Sequence, residues 1–262
     1  MPVEVVHFNP TRKRPGLLGR VLPRRPLNNF GDLIGPLLVD RIATQRRLVQ
    51  PRERRRLVAV GSIMKMTEPG DVVWGTGVNG KSMDVGAAPD LDVRAVRGPR
   101  TRELLLKAGT EVPEVYGDPA LLWSLFWPRE FYLDQNPRKQ IHAVSVVPNF
   151  HDRNSMRGPN VIDPLDDVHS VIREIAMSDF VCGSSLHGIV LAEAFGIPAR
   201  LVVPGTEPSF KYDDYYEGTG RPSYSVASNV REAIELGGER PPEWSPDRLL
   251  DAFPSDLFDT EG

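Results

Sequence analysis

The residues best suited to chemistry lie in the segment 180–198, FVCGSSLHGIVLAEAFGIP. An apolar run leads through Ser184 and Ser185 to His187 and then into a helical pattern. This order places a helix N-terminus at the carboxyl end of a strand, where free N–H groups and the helix dipole favour an anion. Both serines can cap the helix or donate to a phosphate, and the imidazole could reach the same anion. A capped helix with a structural histidine fits these residues equally well.

Two familiar patterns fit the sequence only in part. Residues 183–187 resemble the Gly-x-Ser-x-Gly elbow of α/β-hydrolases, but the fifth position is His187, and no later histidine completes a triad. Residues 75–80, GTGVNG, match the glycine spacing of a dinucleotide-binding loop, but residues 81–92 show no helical pattern. The glycines therefore predict a loop at a cleft rather than a nicotinamide site.

Cationic side chains at two other places suit an anionic ligand. Arg97 ends a predicted strand and Arg100 begins a predicted helix, and arginine binds carboxylate or phosphate through two parallel hydrogen bonds. Lys211 lies in FKYDDYYEG (210–218), an aromatic and charged stretch that we interpret as a loop suited to a sugar or a phosphate. A solvated helix start and an ordinary surface loop are the simpler interpretations.

Strands that alternate with helices must position these residues. Asp32 lies near the start of the first helical pattern, where a carboxylate can act as an N-cap worth about 1 kcal/mol. The sequence predicts strands at 3–8, 57–62, 71–75, 93–97, 141–147, 160–163, 179–183 and 199–203, and helices at 30–42, 99–109, 166–178 and 185–196. This alternation predicts an α/β fold with mostly parallel sheets.

The alternation is interrupted once, over the mixed stretch 126–140, and then begins again. We therefore predict an N-terminal α/β domain over 1–127, a linker over 128–140 and a C-terminal α/β domain over 141–262. Ligands commonly bind in the cleft between two such domains. The acidic C-terminal tail is expected to pack back toward the first domain.

The composition is that of a globular protein with a sizeable core. The chain has 262 residues, of which 40% are hydrophobic and 26% are charged, values close to those of ordinary soluble domains. Its net charge of −3 argues against a general nucleic-acid-binding protein, which carries a strong basic excess. The single cysteine, Cys182, excludes an internal disulfide, and no Cys or His cluster predicts a metal site.

The sequence predicts neither export nor a membrane span. Glu4 lies where a signal peptide has a basic start, and the most apolar stretch, 189–203, is interrupted by Glu193, Pro198 and Arg200. We therefore expect a soluble, cytoplasmic protein.

Basic residues are concentrated near the N-terminus. Residues 12–25 contain six Lys or Arg side chains with leucines and a valine between them. One hypothesis is that this segment contacts an anionic, lipid-linked partner at the inner face of the cell membrane. The simpler interpretation is a solvated surface segment.

An ordered series of segments resembles the polysaccharide pyruvyl transferase family. The segments are NFGDLIGPLLVDRI (29–42), VVWGTGVNG (72–80), VRGPRTRELLLKAG (96–109), YGDPALL (116–122), VVPNF (146–150), the region 161–198 and FKYDDYY (210–216). The resemblance implies a GT-B-like architecture of two Rossmann-like domains that face a cleft. It also implies transfer of pyruvate from phosphoenolpyruvate to a sugar of a cell-surface polysaccharide or glycolipid, which forms a ketal and releases phosphate.

On this interpretation we expect phosphoenolpyruvate to be a co-substrate and no cofactor or metal to be required. His187 and Asp32 are the expected catalytic residues. The residues expected to bind the donor are Arg97, Arg100, Ser184, Ser185, Leu186, Gly188 and Lys211. Those expected at the acceptor or in the cleft loop are Asn29, Gly31, Gly75 and Gly77.

Two departures from the family pattern keep alternatives open. Many members carry Arg-Leu-His where this chain has Ser185-Leu186-His187, and Asn149 stands where a histidine is frequent. The first departure leaves open which arginine holds the anions of the donor. The alternatives are a nucleotide-sugar glycosyltransferase of the same architecture and a non-catalytic family member.

Overall fold

The computed structural model describes residues 3–12, 23–135 and 141–260. Its first half contains β1 (Val3–Val6), β2 (Thr11–Arg12), β3 (Arg25–Pro26), α1 (Phe30–Gln45), β4 (Leu48–Val49), β5 (Arg55–Val58), β6 (Val72–Trp74), β7 (Asp92–Ala95), α2 (Pro99–Lys107), α3 (Trp123–Phe126) and α4 (Arg129–Asp134). Strands β1, β5, β6 and β7 form a parallel sheet in that spatial order. The predicted strands and helices of this half are confirmed, but their bounds differ: α1 extends beyond the predicted residue 42, and β5 begins two residues before the predicted residue 57.

The second half contains β8 (Ser145–Val146), α5 (Val168–Ala176), β9 (Val181–Gly183), α6 (Leu186–Ala194), β10 (Ala199–Leu201), α7 (Phe210–Gly218), α8 (Val230–Leu236), α9 (Pro246–Asp251) and β11 (Asp259–Thr260). Strands β10, β9 and β8 form a second parallel sheet. The chain is therefore a mixed α/β fold with parallel sheets, as the alternation predicted.

Helix α1 shows why the sequence forms these elements. Phe30, Ile34, Leu38 and Ile42 recur every four residues and are all buried, so one face of the helix packs into the core. The polar residues Asn29 and Asp32 lie at the start of this helix, next to the buried Phe30.

The predicted strand at 160–163 is wrong. Asn160 has a φ of +41°, a left-handed conformation that interrupts an extended chain. Val161 makes only an isolated bridge with Val146. The predicted strand at 141–147 is likewise reduced to β8 and a bridge at His142.

The predicted linker is partly helical, because α4 occupies Arg129–Asp134, while residues 136–140 lie outside the described residues. The two parallel sheets are separate, yet Trp74 of the first and Val181 of the second belong to one continuous hydrophobic cluster. The division into two domains remains a prediction.

The C-terminal segment packs against the first half, as expected. Strand β11 pairs antiparallel with β4. The indole Nε1 of Trp74 donates to the carbonyl of Leu249 at 2.8 Å, and the Arg94 guanidinium pairs with Asp256.

Most of the basic segment 12–25 cannot be compared with its prediction, because residues 13–22 lie outside the described residues. Arg12 and Arg25 lie opposite each other in the exposed antiparallel strands β2 and β3.

Over 3–12, 23–135 and 141–260, no helix has both the length and the apolar character needed to cross a bilayer. The same ranges contain no His, Cys, Asp and Glu group that could hold a metal ion.

Candidate functional site

A cavity of about 230 Å³ lies where the N-termini of α1 and α6 meet the loops that follow β5, β6, β8 and β10. Its walls include seven of the thirteen predicted site residues: Asn29, Gly31, Asp32, Ser185, Leu186, His187 and Lys211. The fold thus brings residues from both halves of the chain to one place.

Hydrogen bonds of the two serines shape the N-terminus of α6. Ser185 is the N-cap, and its Oγ accepts from the N–H of Gly188 at 3.2 Å. Ser184 is fully buried, and its Oγ accepts from the N–H of Asn149 at 3.0 Å. Ser184 therefore anchors the loop after β8 and does not line the cavity. Gly188 is also internal, since a Cβ on it would lie 2.8 Å from Cβ of Val147.

The imidazole of His187 lies between the cavity and a buried carboxylate. Its Nε2 is 3.6 Å from Oδ2 of Asp118, and its Nδ1 lies against Gly31, where an added Cβ would be 2.3 Å away. Asp118 is fully buried. The sequence did not indicate Asp118 as a site residue, although it lies in the YGDPALL segment, because no neighbouring residue in the chain points to His187 as its partner.

Asp32 lies in the first turn of α1, but its expected role as N-cap is wrong. The N-cap position is Asn29, whose side-chain Nδ2 donates to Oδ2 of Asp32 at 2.7 Å. Burial raises the pKa of Asp32, and the bond from Asn29 and the nearby His187 only partly oppose this. The carboxylate therefore holds a proton more readily than an ordinary aspartate.

Lysines supply the positive charge of the cavity. The Nζ of Lys211 donates to Oε2 of Glu207 at 2.9 Å, and Lys81 pairs with the other oxygen of the same carboxylate. Burial lowers the pKa of Lys211, although Glu207 opposes the shift. Lys65 lines the cavity with an exposed side chain.

Lys65 and Lys81 were missed by the sequence reasoning. Lys81 directly follows the glycine-rich loop, and this adjacency is the signal that could have found it.

Arg97 has a different environment from the one expected. It is fully buried, its Nε donates to Oδ2 of Asp214 at 3.1 Å, and its Nη1 donates to Oγ of Ser62 at 2.6 Å. Its Nη2 donates to the carbonyl of Val78 at 2.6 Å. Because protein groups occupy these donors, we no longer assign Arg97 to the donor substrate.

Arg100 is likewise directed away from the cavity. Its guanidinium pairs with Asp213 at 2.7 Å and with Glu217 at 2.8 Å. Both carboxylates belong to 210–218, which is the helix α7 and not the expected loop. Tyr212, Tyr215 and Tyr216 are buried, and their spacing places them on the core-facing side of helix α7. Asp213 and Glu217 of the same helix pair with Arg100 of α2.

The predicted cleft-loop glycines Gly75 and Gly77 pack closely against other protein groups. A Cβ on Gly75, which has a φ of +88°, would lie 2.4 Å from Cδ of Pro119. A Cβ on Gly77 would lie 2.5 Å from Cζ of Arg97. Neither glycine lines the cavity, whereas Asn79 and Lys81 of the same loop do.

One protein-family model and two curated proteins match the chain. A sequence model of the family described as polysaccharide pyruvyl transferase matches residues 40–205. The succinoglycan biosynthesis protein ExoV of Rhizobium meliloti (strain 1021) is 31% identical over an alignment of 228 residues, and the match covers 80% of this chain and 68% of that protein. The uncharacterized protein L143 of Acanthamoeba polyphaga mimivirus is 26% identical over an alignment of 171 residues, and the match covers 60% of this chain and 57% of that protein.

Proposed function

Because the chain belongs to the polysaccharide pyruvyl transferase family, we propose that its cavity transfers pyruvate from phosphoenolpyruvate to a sugar of a cell-surface polysaccharide or glycolipid. Family membership supports a role in pyruvyl transfer during polysaccharide synthesis. The observation that carries the finer proposal is the convergence of His187, Asp32 and Lys211 on one cavity. The product is a pyruvate ketal, and phosphate is released.

The donor has two anionic groups, a phosphate and a carboxylate, and the cavity offers several cations for them. Lys211, Lys81 and Lys65 line its walls. The N-terminus of α6 adds free N–H groups and the positive end of a helix dipole. We therefore assign donor binding to these lysines rather than to an arginine. The hydroxyl hydrogen of Ser185 can still donate, because its Oγ accepts only the capping bond.

The proposed reaction begins with a proton added to the methylene carbon of the donor, which makes the neighbouring enol carbon electrophilic. One sugar hydroxyl bonds to that carbon and loses its proton, and the carbon–oxygen bond to phosphate then breaks. A second hydroxyl closes the ketal and loses its proton. One of the two hydroxyl protons replaces the proton given to carbon, and the other leaves with phosphate. The scheme requires no metal and no cofactor besides the co-substrate.

His187 and Asp32 are suited to move these protons. His187 is the proposed proton donor, because its side chain lines the cavity and histidine is the side chain that most often acts as a general acid or base. Asp32 is the proposed base for the sugar hydroxyl, since burial raises its pKa and so increases its basicity. Asn29 orients this carboxylate through its side-chain amide. The acceptor is proposed to enter beside Asn29 and Gly31, which line the same wall.

Mass spectrometry tests the proposal directly. Purified protein is incubated with phosphoenolpyruvate and a panel of acceptor glycans, and released phosphate is measured in parallel. We expect an acceptor that gains a pyruvate ketal, with phosphate released in equal amount. Transfer of a sugar from a nucleotide-sugar donor would instead support a glycosyltransferase. No turnover of either donor would leave a binding role.

We also propose that the basic segment 12–25 contacts an anionic membrane surface. Arg12, Arg24 and Arg25 are exposed within the described part of this segment. Such attraction is screened within about 8 Å at physiological salt. Co-sedimentation with anionic vesicles should therefore fall with added salt and with Arg24→Gln and Arg25→Gln together. Equal sedimentation with neutral vesicles would contradict this proposal.

A further inference from the structure

Two buried polar atoms face each other behind the cavity. Oδ2 of Asp118 and Nε2 of His187 are 3.6 Å apart, and neither makes a hydrogen bond with any described residue. A buried carboxylate oxygen and a buried imidazole nitrogen are each costly to leave unpaired. Their shared position indicates that they are partners.

Asp118 is rigidly held in this position. Its Oδ1 accepts from the N–H of Ala120 at 3.0 Å, which caps the 3₁₀ helix Pro119–Leu122. That short helix packs against both α1 and α6. The other carboxylate oxygen is therefore fixed toward the imidazole, independently of any substrate.

We propose that Asp118 is a positioning residue that holds the neutral form of His187 as the tautomer with hydrogen on Nε2. A carboxylate can only accept, so the imidazole nitrogen that faces it must carry the hydrogen. The lone pair then lies on Nδ1, beside Gly31 at the cavity wall.

This tautomer gives His187 a defined direction for proton transfer. Nδ1 takes up a proton from the cavity side and returns it there, while Asp118 stabilises the imidazolium from behind. A carboxylate that orients an imidazole in this way does not itself need to transfer a proton. The assignment of the tautomer is independent of the reaction, whereas its effect on turnover rests on the proposed function.

Nitrogen-15 NMR of the full chain labelled at histidine tests the tautomer. Spectra are recorded at alkaline pH, and a His187→Asn sample identifies the resonances among the five histidines. We expect a protonated Nε2 and an unprotonated Nδ1 in the wild type. Asp118→Asn keeps the acceptor for Ala120 but places an amide donor opposite Nε2, so the hydrogen should move to Nδ1.

Glu174→Gln is the matched control. It removes a carboxylate that lies 3.0 Å from Nε2 of a different histidine, His142, and should leave the His187 signals unchanged. A wild-type spectrum with hydrogen on Nδ1 would overturn the proposal, and this measurement needs no folded variant. An unchanged tautomer in folded Asp118→Asn would overturn it as well.

Turnover supplies the second readout. With phosphoenolpyruvate and an accepted glycan, Asp118→Asn should lower kcat by about 10- to 100-fold, as loss of an orienting partner typically does. Donor affinity and the urea midpoint should remain near those of the wild type. An unchanged kcat with a reversed tautomer would refute the positioning role. Absence of turnover in the wild type would refute the proposed function and leave the tautomer result standing.

Discussion

Gly31 in the first turn of α1 directly supports the imidazole of His187 in the first turn of α6. A Cβ atom on Gly31 would lie 2.3 Å from Nδ1 and 3.2 Å from Cβ of His187. Only a residue without a side chain permits this contact between the two helix starts. The contact brings Asp32, which follows Gly31 in the chain, to the same cavity as the imidazole.

Gly31→Ala should therefore displace His187 and reduce turnover by about 10- to 1,000-fold, because a misplacement near 1 Å can cost about 100-fold. The backbone of Gly31 is helical, so the overall fold should remain. Thr44→Ala, at an exposed position of the same helix, is the control and should keep its turnover. Steady-state kinetics and circular dichroism would check both variants. Full activity in Gly31→Ala would show that the imidazole position is unimportant.

Asp32→Asn should lose about 100- to 10,000-fold in turnover if Asp32 is the base, while the bond from Asn29 is retained. The variant should also change how stability depends on pH. Burial raises the pKa of Asp32 above the ordinary 3.8, so the folded state binds this proton more tightly than the unfolded chain. The wild type therefore loses stability as the pH rises from that value through the folded-state pKa.

Urea unfolding across this pH range should show the asparagine variant gaining stability relative to the wild type, with a constant difference at higher pH. Asp40→Asn, at an exposed position of α1, is the control for a lost surface charge. A stability difference that shrinks as the pH rises would contradict the assigned direction of the shift. Retained turnover in Asp32→Asn would show that Asp32 has a structural rather than a catalytic role.

Lys211→Met should weaken phosphoenolpyruvate binding by about 10- to 100-fold, because a hydrogen bond to a charged group contributes about 1.5–3 kcal/mol. Since burial lowers the pKa of Lys211, wild-type affinity should begin to fall at a lower pH than an ordinary lysine would allow. Lys107→Met removes an exposed lysine of α2 and should not alter affinity. Calorimetric titration would measure all three proteins, and equal affinities would exclude Lys211 from the donor site.

Arg97→Met should lower the free energy of unfolding by about 3–5 kcal/mol, because it leaves the fully buried carboxylate of Asp214 without its partner. Arg100→Met should cost only about 0–1 kcal/mol, since Arg100 is partly exposed and its pairs lie at the surface. Urea titrations of the two variants would provide the comparison. Similar losses in both, or a loss of donor affinity in stable Arg97→Met, would contradict the structural role given to Arg97.

The local pattern of the sequence determined most of the fold. Alternating apolar runs and helical spacing depend on neighbours along the chain, so the parallel strands and α1, α2, α5 and α6 could be predicted. The structure differs from the predicted elements at two places. The left-handed backbone of Asn160 interrupts the predicted strand at 160–163, and the charged residues of 210–218 led to a predicted loop where the structure has the helix α7 with a buried face. The ordered motifs over 29–216 also indicated the family before any tertiary contact was known.

Only the tertiary structure decided which functional groups meet. Asp32, His187 and Lys211 were chosen by residue type, and folding brings them to one cavity. Arg97 was chosen for the same reason, yet Asp214 occupies its guanidinium. Asp118 faces His187 although nothing in its neighbouring residues indicates that partner. A side chain can bind a ligand only when distant groups leave some of its donors or acceptors unpaired, and packing across the whole chain decides which groups those are.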